Sequence, residues 1–182
     1  MKTKQLKIVL VCITVLLTFG ASGQEIRHEV PKNWKELNET DYSIYYPETF
    51  VLDQSGIMGT RFVLYFNKAT PNDLFRENIN LMIQDLSGLT INLDNYVKIS
   101  EEQIKTLITA GQLIESKRMG ANSREFQRII YKGKQGQFDL KWLQFYWVEN
   151  HKAFVLTLTC KQNEFASCVA TGEEIMYTFK IK

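Results

Sequence analysis

The chain has 182 residues, of which 22 are basic and 20 acidic. Three of the basic residues and none of the acidic ones precede position 24, so the remainder carries 19 against 20, a net charge of −1. That balance excludes nucleic acid and anionic membrane as electrostatic partners, because both require a surplus of Lys and Arg on one face.

The first 23 residues have the parts of a secretory signal peptide. Three lysines precede an apolar run of about twelve residues, Ile8–Phe19, and a bilayer span needs roughly twenty. Ala21 and Gly23 are small, as a signal peptidase requires, and they predict cleavage before Gln24. The alternative is an uncleaved membrane anchor. We therefore expect an exported protein in the periplasm, the extracellular space or the cell envelope.

Domain organisation follows from length and composition. We expect a signal peptide at 1–23, a flexible N-terminal segment at 24–39 and one domain at 40–182, without a transmembrane segment in the mature chain. A chain of that size can bury roughly 70% of its unfolded surface and needs no second domain.

The first half of the domain reads as strands followed by a helix. Tyr42–Pro47 and Thr60–Phe66 are rich in aromatic or β-branched residues, and Asn78–Leu86 alternates with period two. Apolar residues at helical spacing then predict a helix over 94–110. Asp94 is its candidate N-cap and Gly111 its candidate C′ residue.

The second half predicts an antiparallel sheet. Strands are expected at 112–117, 125–132, 137–149 and 153–160, with short connections at 133–136 and 149–152. Apolar residues from Phe165 to Met176 recur every three or four positions and predict a second helix, and 177–181 predicts a final strand. The fold class is α+β, an antiparallel β-sheet with helices packed on its faces.

These patterns resemble the PsbP-like superfamily, which includes the extrinsic PsbP protein of photosystem II, a yeast import factor that binds Ran, and exported bacterial proteins. The matching stretches are YSIYYP at 42–47, ENINLMIQDL at 77–86, LDNYV at 93–97 and the ending 153–181. The resemblance implies an α/β/α sandwich. It implies no single activity, since fold alone does not fix function, and no cation site of PsbP-type proteins can be aligned here.

Motifs for catalysis, cofactors or metals are absent from the sequence. There is no nucleophile elbow, zinc-protease pair or phosphate loop. The two histidines are His28, in the N-terminal segment, and His151, in a predicted hairpin turn, and neither has neighbours that would complete a metal site. We expect no catalytic, cofactor-binding or metal residues, and therefore no cofactor.

Aromatic residues line both faces of the predicted strand 137–149. Trp142 and Tyr146 share one face and Trp147 lies on the other. A strand that is apolar on both faces is usually buried on both sides. The alternative is that one aromatic row is partly exposed and forms a binding surface.

After signal removal the only cysteines are Cys160 and Cys168. An exported protein meets an oxidising environment, so a disulfide between them is one prediction. Two separately buried free thiols are the alternative.

These observations favour a non-enzymatic accessory or binding protein of the bacterial envelope, with a protein or small-molecule partner, no nucleic acid and a monomeric state. One alternative is an envelope enzyme, hydrolase-like, whose active site is dispersed along the chain. Another is a structural subunit of an envelope assembly.

Overall fold

The computed structural model describes residues 30–67, 70, 73–121 and 124–182. The predicted signal peptide, its cleavage site and His28 lie outside this range. The described part contains ten strands, two α-helices and one 3-10 turn (Ile57–Gly59). The strands are β1 Trp34–Asn38, β2 Tyr42–Pro47, β3 Val51–Asp53, β4 Phe62–Tyr65, β5 Asn78–Asp85, β6 Thr109–Ala121, β7 Arg124–Gln135, β8 Phe138–Glu149, β9 Lys152–Lys161 and β10 Lys180–Ile181. The helices are α1 Leu93–Leu107 and α2 Phe165–Tyr177.

Two antiparallel sheets are built from these strands. Seven strands form the large sheet in the order β3-β4-β5-β9-β8-β7-β6, and three form a small sheet in the order β1-β2-β10. Hairpins join β6 through β9 in sequence, and β5 enters beside β9. Four long strands (β5, β9, β8 and β7) therefore have a partner on both sides.

Period-two alternation divides the core into two layers, one on each face of the large sheet. Leu143 and Phe145 of β8 face the layer that also contains α2 and the small sheet. Leu140 and Tyr146 face the layer beneath α1, which includes Val97 of that helix. The fold is the expected α+β arrangement, with helices on opposite faces of an antiparallel sheet.

Several sequence predictions are confirmed closely. Strand β2 spans the residues expected of it, and α2 differs from its prediction by about one residue. The turn before β9 consists of Asn150 and His151, both at positive φ (50° and 56°), as in a tight two-residue hairpin. His151 is exposed there, in agreement with its reading as a turn residue.

Two of the chain-end predictions are wrong. The expected flexible segment 24–39 includes β1, because Trp34–Asn38 pairs along its whole length with β2. The expected strand 177–181 is shorter, since α2 continues to Tyr177 and only Lys180–Ile181 pairs with β2.

Both predicted caps of α1 are also wrong. The N-cap is Asn92, whose side chain accepts a hydrogen bond from the Asn95 N–H at 2.9 Å, and Asp94 lies inside the first turn. At the other end the left-handed conformation falls on Ala110 (φ 53°) and not on Gly111. Gly111 is needed for space, because a Cβ there would lie 2.0 Å from the Ile104 carbonyl oxygen.

Candidate functional site

A groove of about 920 Å³ opens on the face of the large sheet that carries α1. The helix packs mainly on β6, β7 and β8 and reaches β5 through the Tyr96 hydroxyl, which donates to Gln84 Oε1, and none of the described lining residues of the groove belongs to α1. The volume lies toward the upper end of the range usual for small-molecule sites. The lining side chains are Met58, Thr60, Phe75, Asn78, Asn80, Met82, Tyr131, Gln135, Gln137, Phe138, Leu140, Trp142, Gln144, Thr157 and Thr159, together with Gly136.

Strand register places the floor of the groove in two rows. In the first row Asn80 of β5 is paired with Thr157 of β9, which is paired with Gln144 of β8. The second row runs from Asn78 through Thr159 and Trp142 to Tyr131. The floor therefore presents amides and hydroxyls at one end and stacked aromatic rings at the other, since the Tyr131 and Trp142 rings lie 4.8 Å apart at 18°.

Hydrogen bonds fix the orientation of the first row. The Tyr146 hydroxyl donates to Gln144 Oε1, and Gln144 Nε2 donates to Thr157 Oγ1 at 3.0 Å. Gln144 must therefore direct its NH₂ toward β9. Its second N–H and the Thr157 hydroxyl hydrogen remain available toward the groove, because each group can donate once more.

The asparagines of β5 form a second ordered chain. Asn80 Nδ2 donates to Asn78 Oδ1 at 3.2 Å, and Asn78 Nδ2 donates to the Arg76 carbonyl at 3.1 Å. This leaves the side-chain amide oxygen Oδ1 of Asn80 and one N–H of its side-chain amide for a ligand. Fixed amides of this kind bind with little loss of side-chain entropy, which favours affinity.

One wall of the groove is the loop before β5. Phe75 packs against Phe138 with ring centroids 5.2 Å apart. The Phe75 N–H donates to Asp73 Oδ1, and Asp73 is ion-paired with Lys161 of β9 at 2.9 Å. Arg76 donates to the Phe66 carbonyl at 2.8 Å and lies over the Tyr65 ring. The loop is thus held at several points, and the wall is preformed.

Met58 also lines the groove. This side chain is 83% exposed, and its backbone adopts φ 53°, a conformation that costs a residue with a Cβ about 1–2 kcal/mol. An exposed apolar residue in a strained turn is a common feature of ligand clamps.

Among the residues that the structure describes, the lining contains no Asp, Glu, Lys, Arg or His. The one titratable side chain among these described lining residues is Tyr131, and burial raises the pKa of that phenol, so it stays neutral at physiological pH. A charged ligand would lose hydration here without gaining a counter-charge, which is unfavourable. The groove therefore suits an uncharged ligand that both donates and accepts hydrogen bonds.

Strand β8 is buried on both faces, as its apolar pattern favoured, and the alternative of a partly exposed aromatic row is wrong. Trp142, Tyr146 and Trp147 are 7%, 4% and 6% exposed, because the strand is covered on both faces. They do not form one surface: Trp142 lines the groove, Tyr146 lies beneath α1, and Trp147 faces the α2 layer. Sequence analysis missed the floor residues Asn80 and Thr157. The available signal was that these polar residues alternate with apolar residues on strands whose opposite face is apolar.

Cys160 and Cys168 are neighbouring, buried thiols in the structure, and the disulfide between them stays a prediction. They are hydrogen-bonded to each other across the β9–α2 contact. That hydrogen bond and burial raise the pKa of Cys160, and the same hydrogen bond lowers the pKa of Cys168. Their role in the structure is the packing of small side chains in the core, the alternative to a bridge.

A group of carboxylates lies nearby. Asp73, Glu77 and Glu164 place carboxylate oxygens within 4.8 Å of one another. Lys161 occupies the centre of this group, with Nζ 2.8 Å from Glu164 and 2.9 Å from Asp73, and its backbone N–H donates to Glu77. The carboxylates of Glu164 and Asp73 raise the pKa of Lys161. A lysine thus supplies the positive charge that such a group requires.

A smaller cavity of about 200 Å³ lies on the α2 face, between aromatic core residues and Arg124. Arg124 is already engaged, since it donates to the Ile181 carbonyl at 2.6 Å and lies 3.5 Å from Glu149. Among the residues that the structure describes, no helix is long and apolar enough to cross a membrane.

No protein-family model matches the chain, and no curated protein matches it either. Solved structures do match. PsbP (CyanoP) from Synechocystis sp. PCC 6803 is 14% identical with a TM-score of 0.61, over 84% of this chain and 95% of that one. LpqN of Mycobacterium tuberculosis, a protein involved in cell envelope biogenesis, is 14% identical with a TM-score of 0.62, over 82% and 90%.

A Pseudomonas aeruginosa protein of unknown function is 11% identical with a TM-score of 0.57, over 80% of this chain and 95% of that one. The chain therefore has the PsbP-like fold, as its sequence patterns predicted. Identities this low establish the fold alone, and the functional argument depends on the groove.

Proposed function

We propose that this protein is an exported, non-enzymatic binding protein of the bacterial cell envelope, and that its ligand is an uncharged molecule held in the groove. The observation that carries the proposal is the groove itself: a preformed cavity of about 920 Å³ whose amides and hydroxyls are oriented and whose described lining residues carry no charge. The signal-peptide pattern at 1–23 supports export. The fold is shared with LpqN, an envelope protein.

The chemistry of the lining favours binding over catalysis. Hydrolysis requires a general acid or base near its working pH, or an activated nucleophile. Among the described lining residues Tyr131 is the only titratable group, and burial raises its pKa away from neutrality. The carboxylates of Asp73, Glu77 and Glu164 surround Lys161 at the end of β9, outside the groove lining. An enzyme with a dispersed active site is thus the less favoured candidate.

Ligand recovery from the native host tests the binding function. The processed protein would be purified under mild conditions from cells that express the full chain, and native mass spectrometry would measure any added mass. We expect an uncharged small molecule that is lost from Asn80→Leu and retained by Gln103→Leu, an exposed amide on α1 outside the groove. A stoichiometric charged ligand, or one retained equally by both variants, would contradict the proposal.

Export is tested separately by the N-terminus of the native protein. Peptide mass spectrometry of the envelope fraction should give a chain that begins at Gln24. An intact Met1, or recovery of the protein only from the cytoplasmic fraction, would contradict export and leave the groove argument untouched.

A further inference from the structure

The strand stretches that form the groove floor are paired on both sides. Asn78–Asn80 of β5 lies between β4 and β9, Thr157–Thr159 of β9 between β5 and β8, and Trp142–Gln144 of β8 between β9 and β7. A peptide that binds by strand addition needs a free sheet edge, and these stretches offer none. Recognition in the groove therefore falls to side chains.

Those side chains are of two kinds, and they occupy different parts of the floor. Asn80, Thr157 and Gln144 form a polar row, and Trp142 with Tyr131 forms a stacked aromatic pair in the next row. An acyl chain would cover the polar row and leave its oriented hydrogen-bonding groups without partners, which is costly. A ligand that fits must carry hydrogen-bonding groups along one part and apolar surface along another.

The polar row consists of groups that both donate and accept. Side-chain amides and threonine hydroxyls match ligand hydroxyls, which also do both. Ionised ligand groups, by contrast, are limited to one role and would meet no counter-charge among the described lining residues. Pyranose rings combine these properties, since they are uncharged, bear hydroxyls around the edge and present C–H faces to aromatic rings. The accessible rings for that contact are those of Phe75 and Phe138, which are only half-buried.

We infer that the ligand is an uncharged oligosaccharide, an inference that rests on the proposed binding function and specifies its ligand class. The cavity volume of about 920 Å³ is large for a single monosaccharide and accommodates a short chain of sugars. Phe75 and Phe138 form one wall beside that chain, and the exposed Met58 also lines the groove.

The test is an array of neutral and acidic glycans, followed by calorimetry with the neutral oligosaccharide that binds best. The processed protein is used, and the indole N–H signal of Trp142, assigned with Trp142→Phe, reports the site by NMR. We expect saturable binding of a neutral glycan, a shift of the Trp142 signal, and about tenfold weaker binding by Asn80→Leu. If Asn80→Leu folds poorly, the glycan affinity of Gln137→Ala, a substitution on the exposed turn that lines the groove, tests the same site.

Gln103→Leu is the matched control and should bind as the unmodified protein does. Binding of acidic glycans as tight as that of neutral ones would overturn the inference, as would an array without any neutral glycan that saturates. An acetylated, amidated peptide that shifts the Trp142 signal while glycans do not would overturn the sugar class and leave the proposed binding function standing.

Discussion

Lys161 Nζ lies 3.0 and 2.9 Å from the two carboxylate oxygens of Asp73, a contact that joins the end of β9 to the loop carrying Phe75. The side chains are only 21% and 11% exposed, so this pair is shielded from solvent more than a surface ion pair is. Through it, the groove wall and the sheet floor are held in one arrangement.

Lys161→Met should destabilise the fold and loosen the wall. Removal of the lysine leaves the carboxylates of Asp73 and Glu164 close together without their shared cation, and we expect a loss of about 2 kcal/mol in the free energy of unfolding. Urea denaturation measures it. The control is Lys134→Met, because Lys134 pairs with Asp139 at 2.8 Å on an exposed hairpin. Removing this exposed ion pair should lower the free energy of unfolding by about 0.5 kcal/mol or less. Equal losses in the two variants would contradict the role given to Lys161.

As the pH is raised, the protein should unfold at a lower pH than repulsion between its surface charges alone would cause. Burial raises the pKa of Tyr42 and Tyr96 to about 12 and raises those of Tyr131 and Tyr146 as well. Because the folded state holds these protons more tightly than the unfolded chain, their stabilising contribution is complete below about pH 10. It falls by up to about 1.4 kcal/mol per pH unit for each tyrosine above that value.

The measurement is a pH titration from 8 upward with circular dichroism and tyrosinate absorbance recorded together. The ionisation of these four tyrosines should coincide with loss of secondary structure. Ionisation of all tyrosines with the fold intact near pH 10 would show that the phenols are not buried as described.

We expect opposite effects on stability from substitutions at two neighbouring residues at the start of β6, Ala110 and Gly111. Gly111→Ala would place a Cβ 2.0 Å from the Ile104 carbonyl oxygen, which is backbone, and should cost at least about 2 kcal/mol. Ala110→Gly relieves a positive φ of 53° and should gain about 0.5 kcal/mol. Thermal unfolding of both variants tests the pair, and a stable Gly111→Ala protein would contradict the close approach.

Thiol reactivity should differ between the two cysteines. In protein reduced beforehand, iodoacetamide should label Cys168 before Cys160, because a hydrogen bond from Cys160 lowers the pKa of Cys168 and Cys160 is fully buried. Cys160→Ala removes that hydrogen bond, raises the pKa of Cys168 and should slow its labelling at fixed pH. Peptide mapping by mass spectrometry gives the order. A thiol count on native protein, unfolded without reductant, tests the disulfide predicted from sequence, and two free thiols would exclude it.

Sequence patterns predicted most of the sheet, because β5 alternates with period two, β8 is a long aromatic and apolar strand, and recognisable turns flank β8. It could not predict the groove. Asn80, Thr157 and Gln144 are separated by up to 77 positions and meet only through strand pairing, which alternation along one strand does not specify. The polar side chains of β5 line a cavity only because Phe75 and the β7–β8 hairpin at 135–138 line it beside them. The caps of α1 were missed because Asn92 and Asp94 are both good cap residues and tertiary contacts decide between them.

The alternation along β9 has a consequence for how binding could diverge within this fold. Thr157 and Thr159 face the groove, whereas Leu156 and Leu158, their immediate neighbours, are fully buried in the layer beneath α2. Alternate residues of the same strand thus serve different purposes, one set forming the groove and the other the core. Ligand preference can be changed by substituting the groove-facing residues while the core-facing residues preserve the fold. This sheet face is therefore a natural starting point for engineered binders.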